Sequence, residues 1–219
     1  MQRVILAGVD PAAGGRAAAD WAEDEAILRD LPVRVVRAWP PDPGEARVTV
    51  TGLGLVPEDT AARAEAPACP LILVPEAPAR SNRTGGITLG VDARRPADAA
   101  IDFAFESARL RCLRLHAVHA WALPPSAAEL PFAVPEEDRA TWEDHEVQLL
   151  ADALRPWRAK YPDVQVFQDV VLFTPSEALL HHSPHAALVV VGHRRGSAWG
   201  DTTRSLLRAT TCPVAVVPS

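Results

Sequence analysis

This chain contains one pattern twice, and that repetition limits what it can fold into. Residues 7–39, "AGVDPAAGGRAAADWAEDEAILRDLPVRVVRAW", align without a gap on residues 89–121, "LGVDARRPADAAIDFAFESARLRCLRLHAVHAW", at an offset of 82. Asp10 falls on Asp92, Ala22 on Ala104, Ala26 on Ala108 and Trp39 on Trp121, with Trp21 on Phe103. A second pair, "CPLILVP" from Cys69 and "CPVAVVP" from Cys212, is offset by 143. The later copy therefore carries 61 residues that the earlier one lacks, all between its Trp and its Cys. Internal repeats of this kind mark repeated structural units.

Each copy opens with a short apolar strand ending in Gly-Val-Asp. Small and apolar residues then recur at helical spacing: Ala18, Trp21, Ala22 and Ala26, and Ala100, Phe103, Ala104 and Ala108. A second apolar strand follows. A strand–helix–strand unit of this size makes a right-handed crossover in a parallel sheet, and continuous apolar strands place cover on both sheet faces. The later copy continues through a Pro-rich loop, a long helix near residues 136–160, a strand in "VQVFQDVVL", a short helix in "PSEALLHHS", a strand in "ALVVVGH", a helix in "DTTRSLLRAT" and a last strand in "VAVVP". That is a complete five-stranded doubly wound unit. The earlier copy has "RVTVTGLG", "PEDTAARAEA" and "LILVP", and lacks the second helix, third strand and third helix. The expected organisation is a truncated domain over residues 1–76, a polar linker over 77–86 and a complete domain over 87–219.

Bulk properties exclude several classes. A net charge of −6 over 219 residues gives no support to non-specific nucleic-acid binding. The apolar runs are too short to span a bilayer, and "MQRVILAGVD" has no signal-peptide cleavage pattern. Three cysteines do not make a disulfide framework, and Cys69 and Cys212, each before a proline and an apolar run, read as buried. These features point to a cytoplasmic protein.

The order "GVD", "HAVHAW", "VVVG" and "CPVAVVP" resembles the universal stress protein family, in the tandem, actinobacterial-type form common in high-GC bacteria. The resemblance implies an α/β fold: two tandem universal-stress-type (adenine nucleotide alpha hydrolase-like) doubly wound parallel sheets, the first truncated. It implies sheet order 3-2-1-4-5, in which the missing third strand is an edge strand. It also implies a non-catalytic stress-response or regulatory role. In relatives, strand 5 commonly pairs with its equivalent from a second copy. Here that leads to an intramolecular pseudo-dimer through residues 71–74 and 214–217, covering two apolar edges. Protein partners beyond it, and the triggering stress, are not named by the sequence.

The resemblance makes ATP or another adenine nucleotide the candidate ligand of the C-terminal domain; no cofactor or metal is fixed by the sequence. Asp92 ends the first strand, where ATP-binding relatives place an Asp beside the adenine. Val118 and its neighbours to Trp121, and Val171 with Val170 and Leu172, are the expected base-pocket walls. On the phosphate side the family pattern is Gly, two residues, Gly, nine residues, then Gly and Ser or Thr. Gly192 and Gly200 take the outer positions, Gly196 serves for the middle one after a shift, and Arg194 and Thr203 complete the set. "HRRGSAW" between Gly192 and Gly200 is about five residues shorter than that pattern. Asp201 takes the Ser/Thr position and can cap the helix itself, filling the anion position with the protein's own charge. Arg194, Arg195 and Arg204 can neutralise phosphate. Weak or impaired nucleotide binding is therefore expected. The alternatives are an ATP-binding stress sensor, and a small nucleotide hydrolase or transferase on the same fold.

The earlier copy keeps Asp10, but Pro57, Glu58 and Asp59 stand at its matching helix start, which argues against phosphate there. In "HHSPH", His181, His182 and His185 have no acidic or cysteine ligand fixed nearby in sequence, so a metal site is not expected. His116 and His119, three apart on a strand, face opposite sides of the sheet.

Overall fold

The computed structural model describes residues 3–8, 15–36, 46–53, 69–76, 85–124, 127, 134–195 and 197–219. In chain order the elements are β1 (Val4–Gly8), α1 (Gly15–Arg29), β2 (Val33–Val36), β3 (Ala46–Gly52), β4 (Leu71–Val74), β5 (Gly86–Gly90), α2 (Asp98–Leu110) and β6 (Leu115–Ala120). They continue with α3 (Glu136–Lys160), β7 (Val166–Val171), α4 (Pro175–His182), a 3-10 turn at Ser183–His185, β8 (Ala186–His193), α5 (Asp201–Ala209) and β9 (Val214–Pro218).

All nine described strands lie in one sheet, ordered β2-β1-β3-β4-β9-β8-β5-β6-β7. The two tandem sheets run into one through the β4–β9 pairing. Pairing is parallel everywhere except at β4–β9, where Ile72 lies opposite Ala215 in antiparallel register. The reason is burial: Leu71, Ile72, Leu73 and Val74, like Val214 to Val217, are at most 2 % exposed, and two such strands left as free edges would template aggregation.

The two arms share registers, not only order. Ile5 pairs with Val33 as Ile87 does with Leu115, both at the offset of 82. Ala7 pairs with Val50 as Leu89 does with Val190, and Thr49 with Leu71 as Val189 does with Val214. Even the irregularity recurs, between Val4 and Ile5 and between Gly86 and Ile87. Among the described residues, the two non-glycine residues with positive φ are also equivalents, Asp30 and Cys112, each at 52° after its helix. The sheet order within the second arm, β7-β6-β5-β8-β9, is 3-2-1-4-5 by position; the first arm has the same order without its outer strand.

Helices α1 and α2 meet on one face of the sheet through a reciprocal exchange. The Arg29 guanidinium lies 5.1 Å from the Phe103 ring centre, and that of Arg111 lies 5.3 Å from Trp21. Arg29 donates to the Ser107 hydroxyl, and Arg111 to Glu25 at the equivalent position. Arg29 and Arg47 both donate to Glu106. Burial alone would raise the Glu106 carboxyl, but Arg29 and Arg47 hold it below the ordinary glutamate value. Such buried pairs fix geometry more than they add stability.

Two core layers result. One holds Ala18, Ala22, Phe103, Ala104, Leu150 and Leu154 under α1, α2 and α3. The other holds Val118, Leu179, Val191, Trp199 and Leu206 with α4 and α5. Cys69 and Cys212 are buried and Cys112 is exposed. The linker expected at 77–86 lies mostly outside the described residues, but its end is not flexible chain. Gly86 already belongs to β5, and a Cβ on Gly85 would come 2.1 Å from the His185 carbonyl oxygen. No described helix is long and apolar enough to cross a membrane.

Candidate functional site

A cavity of about 850 Å³ opens at the carboxyl ends of β5, β6 and β8, where ligands sit in open α/β sheets. Of the residues expected from sequence, Asp92, Val118, Gly192, Arg194 and Thr203 line it, as do His119, Ala120 and Trp121. Val171 does not. It is the last residue of the edge strand β7, and it packs against the core layer beneath α4. Gly200 does not line it either; it is the N-cap of α5, and a Cβ there would meet nothing within 4 Å. Gly196 lies outside the described residues, as do Asp10, Pro57, Glu58 and Asp59.

The base side is tied down by charges that sequence spacing did not reveal. Buried His119, at the end of β6, sets Nε2 2.9 Å from Glu146 Oε2 and Nδ1 3.0 Å from the Val91 carbonyl oxygen. Glu146, 2 % exposed on α3, also accepts from the Arg94 guanidinium. Arg94, in the turn after β5, is thereby strapped to α3. Asp92 accepts from the Arg94 backbone N–H at 3.2 Å and from Arg95 Nε at 3.3 Å. A ligand donor approaching Asp92 meets a carboxylate already engaged twice. Trp142 and His145 from α3 add to the wall. One signal for Glu146 stood in the sequence. Trp142, Glu146, Leu150 and Leu154 recur every four residues, which places an acid in an apolar helical stripe.

The side expected to take phosphate is closed on itself among the described residues. Trp199, 1 % exposed, takes a core position and draws the turn after β8 inward. Ser197 donates to the Arg194 carbonyl through its backbone N–H, at 3.3 Å, and through its hydroxyl, at 2.7 Å. The Arg195 N–H donates to the Ser219 carbonyl at 3.3 Å. His193 Nε2 lies 3.1 Å from the Ser197 carbonyl oxygen, and burial holds that imidazole below its ordinary pKa against this contact. The N–H groups of Arg195 and Ser197, which a glycine cradle would turn toward an anion, thus serve the turn itself.

Gly192 has a packing reason to be glycine. A Cβ there would sit 2.7 Å from the Ala97 Cβ at the start of α2. Asp201 does not cap α5 as expected: no side chain caps that helix. As its first residue, Asp201 is 94 % exposed and pairs with Arg204 at 2.5 Å. The negative charge stands at the helix N-terminus all the same, with Arg204 turned to it.

The histidines divide as the strand geometry requires. His116 stacks on Phe167 at 5.2 Å and faces His182, whereas His119 faces α3. His182 Nε2 lies 3.6 Å from Asp169 Oδ2. No group of three metal-ligating side chains converges among the described residues.

Comparison with known proteins agrees with this architecture. The model of the Universal stress protein family matches residues 85–218. A universal stress protein of Mycolicibacterium smegmatis is 34% identical over 139 residues, 60% of this chain and 45% of that protein. One of Mycobacterium tuberculosis is 34% identical over 155 residues, 67% of this chain and 48% of that protein. The chain thus spans about half the length of the curated relatives it matches. The crystal structure of a universal stress protein from Archaeoglobus fulgidus superposes with a TM-score of 0.56 at 14% identity, covering 99% of this chain and 88% of that one. At that identity the likeness concerns the fold, and it extends over both arms of the sheet.

Proposed function

The chain belongs to the universal stress protein family, and we propose that it is a non-catalytic, stress-linked regulatory protein in which adenine nucleotide binding is impaired. The observation that carries this reading is the closed turn after β8. Arg195 and Ser197 use their N–H groups internally, and Asp201 sets a carboxylate at the N-terminus of α5. A polyphosphate gains its affinity from free N–H donors and a helix end without a competing anion. Here the turn's N–H groups at Arg195 and Ser197 are taken, and the uncapped first turn of α5 carries a carboxylate, while the apolar base side of the cavity persists. The shared registers and the reciprocal arginine exchange support reading the chain as a tandem duplication. In that reading residues 1–76 form a truncated copy, joined edge to edge to the complete copy as an intramolecular pseudo-dimer.

A second reading, an ATP-binding sensor, is favoured by one observation: the cavity gathers Asp92, Gly192, Arg194 and Thr203. Mass spectrometry of small molecules released from the denatured, purified protein separates the two. The first predicts no stoichiometric adenine nucleotide, and the sensor predicts one. Hydrolysis or group transfer would require turnover above that of a Thr203→Ala control, which the first reading predicts to be absent.

A further inference from the structure

The internal repeat supplies a template for a surface that nothing covers among the described residues. In the second arm, α3 packs against α2 and over β7, the edge strand beyond β6. Its Leu150 and Leu154 are fully buried in the layer that holds Leu115 and Ala117. Its end is fixed by three contacts around Tyr161. The ring stacks on Phe105 at 5.7 Å and lies under Arg109, and the hydroxyl donates to Asp102 at 2.7 Å, beside Lys160 Nζ at 2.6 Å.

The first arm has a groove between α1 and β2, lined by Glu23, Ile27 and Val33, with neither a counterpart of β7 nor a second long helix among its described residues. Ala117, fully buried, corresponds to Val35, which is 61% exposed. Arg109 corresponds to Ile27, 79% exposed. The rim has also become more acidic. Phe105 corresponds to Glu23, Asp102 to Asp20 and Cys112 to Asp30, all three exposed acids. An apolar floor on an acidic rim is complementary to a helix with apolar residues four apart and cations toward its C-terminal end.

We propose that the α1–β2 groove, with Ile27 and Val35 exposed inside an acidic rim, docks a basic amphipathic helix of a partner protein. A second copy of this chain fits less well, because face-to-face grooves would set Asp20, Glu23 and Asp30 against their own equivalents, on a chain already at −6. The site is independent of the nucleotide cavity, so its test stands whatever ATP does.

The probe is the chain's own docking sequence. Labelled peptides of residues 147–161, unaltered and with Tyr161→Lys, are titrated with the full chain by fluorescence anisotropy at low salt. Saturable 1:1 binding is expected, tighter for the Tyr161→Lys peptide because Glu23 stands where Phe105 does. Ile27→Ser with Val35→Ser should weaken it by about tenfold or more through lost apolar burial. Glu23→Lys should reverse the preference between the peptides. All three positions are exposed, so the melting temperature should be unchanged. Failure of both peptides to saturate, or binding indifferent to the paired serine variant, would overturn the proposal. So would a dimer in sedimentation that the serine variant dissolves, since that would give the groove to a second copy.

Discussion

Replacing Gly192 with alanine tests whether that glycine serves helix packing rather than phosphate. Its added Cβ would lie 2.7 Å from the Ala97 Cβ, with Ala100 Cβ at 3.6 Å. Two such carbons rest near 3.5–4.0 Å apart, so α2 or β8 must shift by roughly 1 Å. Overpacking of this kind costs about 1–3 kcal/mol. Alanine also restricts the unfolded chain, which returns about 0.4–1 kcal/mol. Net destabilisation of about 1–2 kcal/mol is expected. Ala97 is the N-cap of α2 and makes no side-chain cap, a position where glycine is tolerated. Ala97→Gly should therefore be nearly neutral alone and should restore most of the loss when combined with Gly192→Ala. Urea denaturation of the four proteins gives the coupling energy, expected at about 1 kcal/mol or more. A Gly192→Ala protein as stable as wild type, or no rescue by Ala97→Gly, would refute the packing explanation.

Ile72→Lys puts an unpaired ammonium into the fully buried β4–β9 seam. It should cost about 3–5 kcal/mol and lower both arms' unfolding together in a chemical melt, whereas independent arms would leave the second transition unmoved. Acidification should destabilise the fold in two steps. Burial holds His116, His182 and His193 below the ordinary imidazole value, so the stability they contribute is full above about pH 6.5 and falls below it. The depressed Glu106 adds a loss that begins below the ordinary glutamate range, near pH 4.3. Melting temperatures should be level from pH 8 to about 6.5 and decline from there to pH 4; a rise between pH 6.5 and 5.5 would contradict the histidine assignment. Asp201→Ser removes the charge at the start of α5 but leaves the turn closed, so it should improve ATP binding by at most about tenfold, measured by calorimetry.

The fold was legible where pattern and period agree. The strand–helix–strand units followed from the repeat, and α3 occupies the residues its periodicity indicates. The joining of the arms into one sheet depended on recognising two buried strands with no other cover. The site was legible only in part. Asp92, Val118, Gly192, Arg194 and Thr203 converge because strand ends in a parallel sheet share one rim. Val171 shares a face with its register partner Ala120, which lines the cavity, but it sits on the edge strand β7, one strand further from β5. The His119–Glu146–Arg94 strap joins three elements 52 residues apart at its widest, and no local spacing encodes it. Trp199 has the opposite character: a large apolar residue inside a short loop. It takes a core position and draws the turn after β8 inward.

The most direct test of the account is calorimetric titration of the full chain with ATP, with and without magnesium. If the turn after β8 is closed and Asp201 guards the start of α5, no saturable heat should appear below about 100 μM ATP, a free energy weaker than about −5.5 kcal/mol. A dissociation constant in the low micromolar range or tighter would show that this cavity does hold a polyphosphate, and would contradict the account.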